Sequence, residues 1–292
     1  METIRLHPDC ISCLLNKQLQ NYPKDTPLSV RIEYIQEVLA LVAGAAKSTS
    51  APVLLNGIEA IQKRMFGASK DYTEVKWHFN EVMLAREAEL EEKVGKADDP
   101  LKLAIQYAMT GNYIDFGAME HVDEGKLAAL FEAADDVEVD EKELAALKEN
   151  LAHVKKIVYL TDNCGEIVMD KILMREIKRQ NPAAEISVIV RGFNALNDAT
   201  MEDAVQVGLT EIASVTGNGS DIAGTSLEHI SDEARSMIER AELVIAKGQG
   251  NFETMRNCGM NVYYIFMCKC RLFSDRFCVP LYHGILVNDR HC

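Results

Sequence analysis

The chain has 292 residues, 48% of them hydrophobic and 26% charged, which is apolar material enough for one large core or two modest ones. Its 45 acidic against 31 basic residues leave a net charge of −14, which repels nucleic acid and anionic lipid and argues against both as partners. No apolar run reaches the roughly 20 residues a bilayer demands. The opening METIRLHPDC lacks the pattern of a secretory signal, so the sequence predicts a cytoplasmic protein whose eight cysteines are reduced thiols.

The first half predicts helix after helix. Apolar residues recur at helical spacing over 9–21 and 29–46, and Pro52 and Gly67 punctuate a third helix. Asp71 is placed to cap a fourth, with Glu74 completing a capping box. Asp99-Pro100 opens a fifth that ends near Gly111, and two more follow at about 123–134 and 140–152.

At Lys155 the pattern changes. Five β-type runs follow (KIVYLTD, EISVIVR, EIASVTGNG, ELVIAKGQG, NVYYIFM), mostly separated by helices. This predicts an α/β fold: a helical N-terminal domain over 1–150 packed on a doubly wound, mostly parallel sheet over 151–292.

The polar residues gather where those strands end. Asp162 and Asn163 follow the first, Arg191, Asn197 and Asp198 the second, 216–219 the third, 247–251 the fourth and Lys269 the fifth. In an open α/β sheet that carboxyl edge is where ligands bind. Asp162, Asn163 and Asp198 make an all-oxygen set suited to a hard cation, or else the two aspartates cap the helices that follow. Lys247 and the glycines after it suit either a phosphate cradle or an ordinary turn, since both the third glycine of a dinucleotide fingerprint and a Walker ending are missing.

Cys10 and Cys13, preceded by His7, suit zinc or redox chemistry only with further ligands, Cys268 and Cys270 being candidates, and otherwise read as helix residues. Cys164 is either a nucleophile or a buried thiol. His78, His121, His153, His229 and His283 show no ligand spacing.

Five segments in order, 111–117 (GNYIDFG), 160–166 (LTDNCGE), 191–200 (RGFNALNDAT), 217–225 (GNGSDIAGT) and 245–254 (IAKGQGNFET), together with the early Cys10/Cys13 pair, resemble the damage-control phosphatase family, its cysteine-bearing microbial branch. The resemblance spans nearly the whole chain. It implies a Rossmann-like α/β domain and a phosphatase that uses a divalent metal ion (Mn²⁺, Mg²⁺, Co²⁺ or Ni²⁺) on small phosphorylated metabolites such as sugar phosphates, damaged cofactor phosphates or nucleotides.

Carried over by motif, Asp162, Asn163 and Asp198 hold the metal, with Asp198 or Glu166 orienting the attacking water. Lys247, Gly248, Gln249, Gly250 and Asn251 hold the phosphate, while Asp115, Asn197 and Lys269 reach the substrate. The residues after Lys269 depart from the family pattern, with Arg271 to Phe277 (RLFSDRF) in place of a proline and small apolar residues. Three rival readings are a phosphoaspartate hydrolase, which needs a second acid where Cys164 stands, an S-adenosylmethionine-dependent carboxyl methyltransferase, and a non-catalytic metal- or nucleotide-binding module.

Overall fold

The structure, a computed structural model, describes residues 5–67, 70–115 and 123–292; Phe116, Gly117 and His121 lie outside them. The chain divides into two compact units, Met1–Asp71 and Tyr72–Cys292.

The smaller unit holds α1 (Pro8–Gln18), α2 (Leu28–Gly44) and α3 (Ala51–Phe66). Their apolar stripes bury Leu14, Tyr34, Val38, Leu54 and Ile58 in one core, and the Tyr34 hydroxyl donates to Gln18 Oε1 at 2.7 Å. Gly67 ends α3 at a φ of 93°, a conformation that suits glycine.

The larger unit begins with α4 (Thr73–Lys96), α5 (Pro100–Gly111), α6 (Glu124–Glu132) and α7 (Glu141–His153). Asp99 caps α5 as expected, accepting from the Lys102 amide. The capping box expected for α4 does not form: Tyr72 takes the cap position and its side chain makes no capping hydrogen bond. Glu74 therefore falls on the second helical residue, whereas the box needs the third.

The sheet comprises β1 (Lys156–Leu160), β2 (Glu185–Val190), β3 (Ser214–Gly217), β4 (Leu243–Lys247), β5 (Val262–Met267) and β6 (Gly284–Asn288). Its order is β3-β2-β1-β4-β5-β6. The first five strands pair in parallel and β6 runs antiparallel to β5. The strand-rich part starts where the composition shifts, near residue 155, but the compact unit starts at Tyr72. The reason is packing: α4 and α5 lie against α8 (Glu166–Gln180), and α5 also lies against β5.

Strand side chains alternate between the faces. Ile157, Tyr159, Ile245 and Ile265 join α5 and α8 in one core. Val158, Leu160, Val244 and Phe266 join α10 (Asp232–Glu239), α11 (Gln249–Met255) and α12 (Arg271–Phe277) in the other. Among the described residues no helix is long and apolar enough to cross a membrane.

Candidate functional site

Strand order reverses between β1 and β4, so the ends of these two strands flank the switch point at which such sheets bind ligands. Residues 161–165 leave β1 there. Chain returning from β2 runs antiparallel to them: Ala199 N donates to Asp162 O at 2.7 Å and Cys164 N to Asn197 O at 2.9 Å. This short ladder sets Asn163 opposite Asp198 and brings the three oxygen-bearing residues together. Neither aspartate caps a helix. Gly165 takes that position for α8, and Thr200, in a capping box with Asp203, takes it for α9 (Met201–Gln206).

The buried Arg191 guanidinium joins the two carboxylates. Its Nε donates to Asp198 Oδ2 at 2.6 Å and its Nη2 reaches Asp162 Oδ1 at 3.5 Å. Asp162 Oδ2 accepts from Asn163 Nδ2 at 2.7 Å and from Asn112 Nδ2 at 3.0 Å. Gly248, at a φ of 83°, lies directly against this carboxylate; a Cβ there would stand 1.9 Å from Oδ2.

Behind this layer Glu166 is fully buried and both its oxygens accept hydrogen bonds. It supports Asn163 and Asn112. Lys247 is also fully buried. Its ammonium donates to Glu166 Oε1 at 2.6 Å, Asp170 Oδ1 at 2.9 Å and Ala108 O at 2.9 Å. An ammonium has three donors, and all three are spent on protein acceptors, where the sequence reading expected a phosphate. Tyr159 Oη adds a fourth member by donating to Asp170 Oδ1 at 2.8 Å.

Asn251 and Gly250 also make scaffold contacts. The Asn251 amide donates to Thr161 O and Lys247 O and accepts from Thr225 Oγ1, while a Cβ on Gly250 would meet Ala223 O at 2.4 Å. The Gly248 N–H is spent on Ile265 O. Asn197 is buried and donates to Ile114 O at 3.1 Å, which ties the second loop to the chain beyond α5. Lys269 and Asp115 do meet as an ion pair, and Gln249 Oε1 accepts from the Lys269 amide.

Burial, then the charges of Asp198 and Glu166, push Asp162 well above the ordinary carboxylate range. Burial pushes Asp198 up to about 6 against the pull of Arg191, and pushes Asp170 up to about 6 against that of Lys247. Against the cost of burial, Asp170 and Glu166 hold the Lys247 ammonium above its usual value. Five carboxylates (Asp115, Asp162, Glu166, Asp170, Asp198) thus share three cations (Arg191, Lys247, Lys269) among the described residues. With every acid ionised the surplus is two negative charges, which is the state that burial and mutual repulsion oppose. Lys76 lies near Asp198 but is neutralised by its own partner, Asp203, at 2.7 Å.

Sequence reasoning missed Asn112 and Asp170. Asp170 had left a signal, since two acids four apart on one helix repel unless a cation stands between them. None of the eight cysteines is in a disulfide, and among the described residues no three His, Cys, Asp or Glu side chains are grouped to hold a metal. Cys164 is buried, its thiol pushed up by burial, which removes it as a nucleophile and leaves no second acid for phosphoaspartate chemistry. Arg191 stands where the methyltransferase reading needs an acid.

A Rossmann-type sheet with a buried, oxygen-rich acidic cluster at its switch point places the protein in the α/β class. Residues 6–282 match the damage-control phosphatase ARMT1-like domain, and the chain belongs to that family. It is 30% identical to a damage-control phosphatase of Archaeoglobus fulgidus, over 91% of this chain and 93% of that one. A damage-control phosphatase of Pyrococcus horikoshii is 28% identical over 99% of both chains. The crystal structure of a DUF89 family protein from P. horikoshii shares the fold with a TM-score of 0.76, at 25% identity and covering 97% of this chain and 99% of that one.

Proposed function

We propose that this protein is a divalent-metal-dependent phosphatase acting on small phosphorylated metabolites. The observation that carries the reading is the convergence of Asp162, Asn163 and Asp198 at the switch point, in a cluster where acids outnumber cations by five to three. The donor set fits a hard divalent cation: two carboxylates and an amide oxygen, with the Asn163 nitrogen tied to Asp162 and Glu166. The names of the Archaeoglobus and Pyrococcus relatives support the phosphatase part.

When bound, the metal ion supplies Lewis acidity for the phosphoryl group and lowers the pKa of water. The chain's own residues do the rest. Lys269, close enough to Asp162 to favour its anion, offers its ammonium to the phosphoryl oxygens by exchanging Asp115 for them. Arg191 keeps the two carboxylates apart and fixed. Asp198, held on one oxygen by Arg191, orients the attacking water and takes its proton. Lys247 keeps Glu166 and Asp170 compatible in one buried space. A cytoplasmic location belongs to the same proposal and accords with eight cysteines outside any disulfide.

The test is a screen of sugar phosphates, cofactor phosphates and nucleotides on metal-stripped protein reconstituted with Mn²⁺, Mg²⁺, Co²⁺ or Ni²⁺. Turnover is expected only with metal, and Asp162→Ala should lower it by at least about 10²–10³-fold. Full activity in Asp162→Ala, or in stripped wild-type protein, overturns the proposal.

A further inference from the structure

Asn112 sits at the C-terminal end of α5, fully buried and 50 residues away in sequence from the carboxylate it touches. Its Nδ2 donates to Asp162 Oδ2 at 3.0 Å and to Glu166 Oε2 at 2.8 Å. Asn163 Nδ2 donates to the same two oxygens, at 2.7 and 3.0 Å. An amide nitrogen carries two hydrogens, so each asparagine gives one to each acid. Two like charges are thereby spanned twice by four N–H groups.

The other end of Asn112 is fixed as well. Its Oδ1 accepts from the Met267 amide at 2.9 Å, at the close of β5. The amide therefore has one permitted orientation: flipped, its oxygen would face two carboxylates and its nitrogen a backbone N–H. With Oδ2 of Asp162 committed to two amides, Oδ1 is the oxygen left on the side of Arg191.

We propose that Asn112 is a positioning residue for the cation site, locking the rotation of the Asp162 carboxylate so that Oδ1 is presented to the ion. The inference rests on the metal-dependent reading above and extends it from the ligands to the group that aims them. Through Met267 and α5, it also ties the geometry of the site to the packing of helix against sheet.

The experiment is calorimetric titration of Mn²⁺ into metal-stripped wild type, Asn112→Ala and Asn112→Ser, each checked by circular dichroism and its metal-free melting curve. Supporting groups of this kind typically contribute about 10–100-fold to metal affinity. That loss is expected for Asn112→Ala, with a smaller one for Asn112→Ser, whose hydroxyl has a single hydrogen for two acids. The Mn²⁺ concentration giving half-maximal activity should rise in step. If Asn112→Ala does not fold, Asn112→Ser carries the test. Folded variants that bind Mn²⁺ as tightly as wild type overturn the inference and leave the metal reading intact. A wild-type protein that takes up none of Mn²⁺, Mg²⁺, Co²⁺ and Ni²⁺ overturns the metal reading and the inference with it.

Discussion

Gly248 packs its Cα directly against the carboxylate of Asp162, closely enough that a Cβ on residue 248 would lie 1.9 Å from Oδ2 and 2.0 Å from Cγ. Backbone at the end of β4 thus forms the wall that sets where the first acid of the site can be. The residue also sits at a φ of 83°, which costs an L-residue about 1–3 kcal/mol. Gly248→Ala must therefore both strain the turn and displace Asp162. We expect a lower melting temperature and a roughly 100-fold loss of phosphatase activity, the typical cost of a 1 Å misplacement. Wild-type Mn²⁺ affinity in this variant, measured by titration, would contradict the account.

Lys247 and its two acids make a different prediction from a phosphate-binding lysine. Removing a buried cation leaves Glu166 and Asp170 uncompensated, which costs about 3–5 kcal/mol. Lys247→Met should accordingly lower the midpoint of urea unfolding strongly. A phosphate contact would instead leave that midpoint unchanged and raise KM, so denaturation and kinetics on one variant separate the two roles.

The buried network around Lys247 was only partly legible in the sequence. The lysine's position at the end of β4 was legible; the face from which its side chain leaves was legible too, but only by parity. Ile245 belongs to the core shared with α5 and α8 and Ala246 to the opposite one, so Lys247 points back towards α8 and its acids. The five parallel strands were readable as short β-branched runs, and Asp162, Asn163 and Asp198 as polar residues at their carboxyl ends. The sixth strand was not, because a five-residue run, GILVN, paired antiparallel at the sheet edge has no helix after it to mark a βα unit. Asn112 was out of reach for a further reason: its partners lie across the fold, and no local spacing reports a contact made over 50 residues.

The thiols should divide by burial and not by sequence neighbourhood. Cys13 and Cys278 are exposed, whereas Cys164 and Cys268 are buried with thiols pushed up by burial. A thiol-reactive dye is expected to label the first two in native protein and the last two only after unfolding. Cys164→Ala should keep activity within a few-fold of wild type. Loss of activity with retained metal binding would restore the nucleophile reading.

The acid cluster also dictates how stability varies with pH. Asp198 is pushed up to about 6 in the fold, whereas its unfolded value is about 3.9. Folded, metal-free protein therefore binds more protons than unfolded protein between about pH 4 and 6, and stability falls as pH rises through that window. At about 1.4 kcal/mol per pH unit, Asp198 alone contributes a decline on the order of 2–3 kcal/mol. In chelator, Asp198→Asn should remove that share and flatten the curve of melting temperature against pH between about 4 and 6. Added Mn²⁺ should act in the opposite sense, because the ion competes with the same protons. At pH 7 a concentration of 100 times Kd stabilises by about 2.7 kcal/mol, and at pH 5 the gain should be much smaller. Melting curves across that range, with chelator and with Mn²⁺, check both slopes; identical pH dependence in wild type and Asp198→Asn would show that the buried acid is not the group that titrates.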